Sequence, residues 1–151
     1  MNKGWSMLLA VSLLAGCATG RLSDQERLQL YRAHAGAPVA DFRYSGRLDG
    51  WIDLGDSALA VWSRPNQAYL LELDGPCGNL AYSPTILITS LMDRVSARFD
   101  RVQVIDGPRG FNLSCRIQSI RPLDVKALKA SEKELREAGT QSRVRSGTQG
   151  H

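Results

Sequence analysis

From Val39 to Leu123 the apolar positions recur in short, turn-bounded runs at the two-residue period of half-buried strands. In Ala68–Leu73, Tyr69, Leu71 and Leu73 alternate with Leu70 and Glu72. In Ser57–Ser63, Leu59 and Val61 share a face. Asp49-Gly50 suits a tight hairpin joining Phe42–Leu48 to Trp51–Leu54. Gly55-Asp56 and Arg64-Pro65-Asn66-Gln67 read as further turns, and Asp74-Gly75-Pro76 breaks the next run. Thr85–Thr89 is apolar and β-prone. Val95, Ala97 and Phe99 lie in one phase and Val102 and Val104 in the other, which predicts a bulge or bend at Asp100-Arg101. Residues 106–110 form a Gly/Pro-rich loop, and Phe111–Ile120 is the last strand, alternating at Leu113, Cys115 and Ile117.

Helical spacing brackets this region. Ser23-Asp24-Gln25-Glu26 matches a capping box, and Leu28, Leu30 and Tyr31 give the following segment an apolar side. A helix is expected over about residues 24–35, ended by Gly36 in a left-handed conformation, with Pro38 preventing its resumption. After Pro122, Asp124 is the expected N-cap. Val125, Leu128 and Leu135 form one stripe of a helix over 124–138 that Gly139 closes. The expected fold is mainly β, α+β by content. It is a small antiparallel β-sandwich or barrel flanked by an N-terminal and a C-terminal helix, in one domain over 24–138. Residues 139–151, without acids and rich in Ser, Gly, Gln and Arg, read as a disordered tail.

The chain opens differently. Lys3 precedes an apolar run, Trp5–Ala15, broken only by Ser6 and Ser12. At about 11 residues it is too short to span a bilayer, which needs roughly 20. A basic start, a short apolar core and small residues before a cut describe a secretory signal. Leu14-Ala15-Gly16-Cys17 resembles the lipobox of bacterial lipoproteins. That resemblance implies a thiol joined to diacylglycerol, cleavage before Cys17 and acylation of the new amine. Residues 1–16 are then the lipoprotein signal peptide and 17–23 a lipidated tether. Ala18, where lipoproteins kept in the inner membrane often carry Asp, favours the outer membrane, facing the periplasm.

Composition narrows the choice little. The chain has 151 residues, 43% hydrophobic and 23% charged, which excludes a polytopic membrane protein and a wholly disordered chain. The formal charge of +4 falls to +3 when Lys3 leaves with the signal, too small a balance to argue for a nucleic-acid partner. Setting Cys17 aside leaves Cys77 and Cys115, and an even pair in an exported chain is most simply a disulfide. The alternative is two free buried thiols.

Catalytic chemistry is scarce. The histidines are His34 and the terminal His151. No nucleophile elbow, phosphate loop, dinucleotide fingerprint or zinc-ligand set is present, so no cofactor or metal is expected. Asp49, Asp53, Asp56 and Asp74 cluster in sequence and paired carboxylates do acid/base work, but each sits beside a turn, where Asp bonds its own backbone. Arg43, Tyr44, Arg47, Trp51, Trp62, Arg64 and Tyr69 have the residue types of a sugar- or peptide-gripping face. In a domain this small, aromatic residues are more simply core.

Gly46-Arg47-Leu48 with Trp51, Leu59-Ala60-Val61-Trp62, Tyr69–Leu73 leading to Pro76-Cys77, Cys115-Arg116-Ile117 and Ile120–Asp124 together resemble a family of uncharacterised proteobacterial lipoproteins, a domain of unknown function. The resemblance covers about residues 24–137. It implies the disulfide and the lipid and carries no activity. The expectation is a non-catalytic binding or scaffolding module, anchored in a lipid membrane through Cys17, with an envelope protein or cell-wall partner. The alternatives are a small envelope hydrolase using the turn carboxylates and a small-ligand carrier.

Overall fold

The computed structural model describes residues 21–105 and 113–147. The expected signal peptide, Cys17, most of the expected tether, residues 106–112 and the last four residues lie outside the described residues. Helix α1 (Asp24–Ala33) is followed by strands β1 (Asp41–Arg43), β2 (Gly50–Asp53), β3 (Ala58–Arg64) and β4 (Gln67–Leu73). After a 3-10 turn at Leu80–Tyr82 come β5 (Thr85–Ile88), β6 (Arg94–Ser96), β7 (Arg101–Ile105), β8 (Leu113–Leu123) and helix α2 (Val125–Gly147).

Six strands form one antiparallel sheet in the order β2-β3-β4-β8-β7-β5, and β1 and β6 pair as a separate ribbon. The mainly β expectation therefore holds, as a curled half-barrel with two helices. The curl centres on β8. Its later residues pair with β4 and its earlier ones with β7. Between them Gln118 is the extra residue of a bulge, since Glu72 faces Ser119 and Leu73 faces Ile117. A bulge bends its strand and raises the local twist. It also resets the phase, so that Ile117 and Ile120 are both buried.

The β3–β4 part of the sheet is covered on both faces. Leu59, Val61, Tyr69, Leu71, Ile86, Ile88, Val102 and Val104 meet Phe42, Tyr44 and Val95 of the ribbon segment in one core. On the other face Ala58, Ala60, Ala68 and Leu70 meet Tyr31 of α1 and Val125 and Leu128 of α2 in a second. Along β3 and β4, Ala58, Ala60, Ala68 and Leu70 point to the helices and Leu59, Val61, Tyr69 and Leu71 to the ribbon. That is why both strands are almost wholly apolar rather than alternating with polar positions.

Local signals placed several elements correctly. Ser23 caps α1 in a complete capping box: its backbone N–H donates to Glu26 Oε2 over 2.8 Å and its Oγ accepts from the Glu26 N–H. The bond to the Ser23 backbone, then that to its side chain, holds the Glu26 carboxyl below the usual carboxylate range. Asp124 Oδ1 caps α2 by accepting from the Ala127 N–H over 3.0 Å. The turns at Gly55-Asp56 and Pro65-Asn66 join β2 to β3 and β3 to β4.

Four expectations are corrected. Asp49-Gly50 is no hairpin: Gly50 pairs with Trp62 in the β2–β3 ladder, while β1 crosses to the ribbon and pairs with β6. Gly36 does not end α1. The helix stops at Ala33, capped at His34, and the Gly36 N–H donates to the Pro122 carbonyl over 2.8 Å as the chain joins β8. Phe99 leaves the face of Val95 and is exposed, because Arg98 takes a left-handed φ of 71° at the bend. Gly139 does not close α2, which runs on to Gly147, so residues 140–147 are helical rather than a disordered tail. Among the described side chains of α2, those buried are Val125 and Leu128 in its first turns. Lys133 to Ala138 are all exposed, Leu135 with them.

Candidate functional site

Cys77 and Cys115 form a disulfide. Cys77 follows the Gly75 turn, whose φ of 89° suits glycine, and Cys115 stands on β8, with Cα atoms 5.9 Å apart. The bond closes a loop that contains β5, β6 and β7. Within that loop Asp100 is buried, and its partners explain why. Its Oδ1 accepts from Thr89 Oγ1 and its Oδ2 from the Ser96 N–H, both over 2.7 Å. Thr89 Oγ1 in turn accepts from the Arg101 N–H over 2.9 Å. The expected bend at Asp100-Arg101 is thus a carboxylate-centred clasp at the base of the 89–101 excursion.

The turn carboxylates do not converge into a pocket. Asp49 sits where β2 begins, its N–H donating to the Trp62 carbonyl. Asp53, Asp56 and Asp74 lie toward the other end of the sheet. Asp53 is near Arg27 of α1 at 3.9 Å and Asp74 near Arg116 at 3.9 Å. Asp49, Asp56 and Asp74 are exposed. This is the geometry of turn residues at the surface, without a buried carboxylate pair.

The aromatic and basic set divides between the cores. Tyr69 stacks on Phe42 with centroids 4.3 Å apart, and Tyr44 is buried beside them, its phenol pKa raised by burial. Trp51 packs on the ribbon side and Trp62 on the helix side. Arg43, Arg47 and Arg64 are exposed. No single face presents these residues to a ligand.

One pair was not anticipated from sequence. His34 Nε2 lies 3.0 Å from Ser131 Oγ, joining the end of α1 to α2. A nucleophile–base pair needs a third group to orient the imidazole and donors for an oxyanion. Among the described residues no carboxylate hydrogen-bonds the ring, and Ser131 lies inside a helix, where backbone N–H groups are committed to the i−4 carbonyls. The pair therefore reads as a helix–helix contact, like Tyr31 Oη donating to Glu132 Oε1 nearby over 2.9 Å. The 97-residue separation hid it from sequence reading. Among the described residues no group of His, Cys, Asp and Glu is arranged to hold a metal ion.

Comparison with curated proteins and with solved structures finds no match in either. A family model does match, over residues 1–139, and that span takes in the two-cysteine β domain and most of the structure described above. The chain belongs to the family of unknown function DUF6491.

Proposed function

We propose that the protein is a lipid-anchored module of the bacterial envelope that acts by binding rather than by catalysis. It is held by acylated Cys17 at the outer membrane and faces the periplasm. The observation that carries this reading is Leu14-Ala15-Gly16-Cys17 at the end of a short apolar run. Three acyl chains would hold the domain firmly, since each buried CH₂ contributes about 0.8 kcal/mol and two chains already give stable anchoring. The Cys77–Cys115 disulfide supports an oxidising compartment. The scattered carboxylates favour binding over hydrolysis, and the filling of the ribbon-side face of the curled sheet by one continuous core favours it over carriage of a ligand. The partner class is an envelope protein or the cell wall.

The test compares the native chain with Cys17→Ser in a bacterial host. Intact mass of the native form should equal the chain from Cys17 plus its acyl groups, and Cys17→Ser should leave the membrane fraction. In-cell cross-linking should enrich an envelope partner with the anchored form. A mature chain beginning elsewhere, or membrane retention of Cys17→Ser, would overturn the anchor. Failure to enrich any envelope partner would overturn the binding role.

A further inference from the structure

The residues from Gly75 to Met92 carry no charge, in a chain that is 23% charged. Tyr82, Leu87, Leu91 and Met92, half of the exposed large apolar side chains among the described residues, fall within this stretch. Within it lies β5, an edge strand of the six-stranded sheet, at the end opposite β2. Its inner side is paired with β7 from Thr85–Ile105 to Ile88–Val102, and the Thr89 N–H continues the ladder to the Arg101 carbonyl over 3.0 Å. Backbone groups alternate sides along an antiparallel strand. Thr85, Leu87 and Thr89 therefore turn their N–H and C=O toward β7, and Ile86 and Ile88 turn theirs toward the open edge. Among the described residues no strand pairs there. Edge strands are normally protected by lysines, bulges or inward charges. β5 has none of these, only Pro84 just before it.

We propose that β5 is a dimerisation edge: it pairs antiparallel with β5 of a second copy of this chain about a twofold axis beside Leu87. The edge is self-complementary in this register. Ile86 of each copy meets Ile88 of the other, and each such pair exchanges two backbone hydrogen bonds. Leu87 meets Leu87 as the intervening non-bonded pair, with Cα atoms about 4.5 Å apart. That contact covers a side chain now 53% exposed. Tyr82 and Met92, each 88% exposed, stand five residues to either side of Leu87, so the twofold brings the apolar end of one copy toward that of the other. Pro84, at an outward-facing position without an N–H, stops the pairing beyond Thr85. An uncharged strand meets its own copy without like-charge repulsion. The contact is isologous and closes at two copies, whereas an unmatched edge would add strands indefinitely.

The test uses the purified full-length chain in detergent. Leu87→Cys places two thiols across the axis within the Cα range of a disulfide. Mild oxidation should give a covalent dimer at least about tenfold faster than Leu135→Cys, at an exposed leucine on α2 that is 43% accessible, because pairing makes the reaction intramolecular. Leu87→Lys should weaken association at least about tenfold, the order expected for losing the burial of two leucines. Its circular dichroism should be unchanged. A native chain that stays monomeric overturns the proposal. So does a dimer that tolerates Leu87→Lys, or one in which the two cysteine variants cross-link alike. Capture of a different protein by Leu87→Cys in cells would assign the edge to another chain and equally overturn a second copy.

Discussion

Tyr31 on α1 donates its phenol hydrogen to Glu132 on α2 across 2.9 Å of space and 101 residues of chain. The Tyr31 side chain is buried, and burial first, then the bond to Glu132, drives its pKa far above the ordinary value of 10.0. The folded state therefore holds this proton more tightly than the unfolded chain does. Its contribution is fully present below pH 10 and is lost as pH rises toward the folded value. Above pH 10 the native chain should lose about 1.4 kcal/mol of stability per pH unit from this group. Tyr31→Phe should cost about 1–2 kcal/mol at pH 7, where a hydrogen bond to a charged group is lost, and should flatten the alkaline decline. Urea unfolding of both forms at pH 8 and pH 11 measures the difference. Equal slopes would show that the phenol does not couple the helices to pH.

The disulfide joins β8 to the turn after β4 at a sequence separation of 38. Releasing such a loop should cost roughly 4 kcal/mol in the chain-entropy account. For a domain of this size that is a large share of net stability. The Cys77→Ala/Cys115→Ala double variant should accordingly unfold at a much lower denaturant concentration than the oxidised chain. A cost under about 1 kcal/mol would mean that β5, β6 and β7 keep their order without the cross-link.

Asp100 accepts from a hydroxyl on one oxygen and a backbone N–H on the other. Asp100→Asn keeps the shape but replaces one acceptor by an NH₂ that must face a donor. We expect a loss of about 2 kcal/mol, and a greater one for Asp100→Ala, which leaves the Ser96 N–H unsatisfied. Hydrogen exchange at Ser96 and Arg101 should quicken in both variants while β3 and β4 stay protected. Unchanged exchange at those two amides would remove Asp100 from the clasp.

Leu91 and Arg94 close a two-residue hairpin in which Met92 and Asp93 take φ values of 51° and 56°. Two successive left-handed residues make a type I′ turn, which Asn-Gly fits best. Met92→Asn/Asp93→Gly should therefore stabilise the fold by about 1 kcal/mol, read as a higher thermal midpoint in the Leu87→Lys background. No gain would mean that the turn carries no backbone strain.

What was legible in the sequence was local. The capping box at Ser23 and Glu26 and the cap at Asp124 depend on groups three residues apart. The turns at Gly55-Asp56 and Pro65-Asn66 depend on backbone preferences of single residues. The Cys77–Cys115 pair followed from an even count after Cys17 was set aside. The misreadings share a cause. Asp49-Gly50 looks like a hairpin from its neighbours alone, yet Phe42 pairs with Val95, more than fifty residues away, and that pairing pulls β1 out of the sheet. Gly36 looks like a helix terminator, yet α1 ends early because its exit strand is claimed by β8.

Periodicity, caps and turns thus establish a mainly β domain between two helices, and Leu14-Ala15-Gly16-Cys17 carries the proposed anchor. They do so because each is encoded within a few residues, where sterics and hydrogen-bond geometry act without help from the rest of the chain. Only the tertiary structure decides which strand neighbours which, that β3 and β4 are covered on both faces, and that the bulge at Gln118 curls the sheet. It alone brings Tyr31 to Glu132 and His34 to Ser131, and leaves the outer edge of β5 without a strand among the described residues. Those outcomes depend on burial summed over distant segments, and no window of sequence contains that sum.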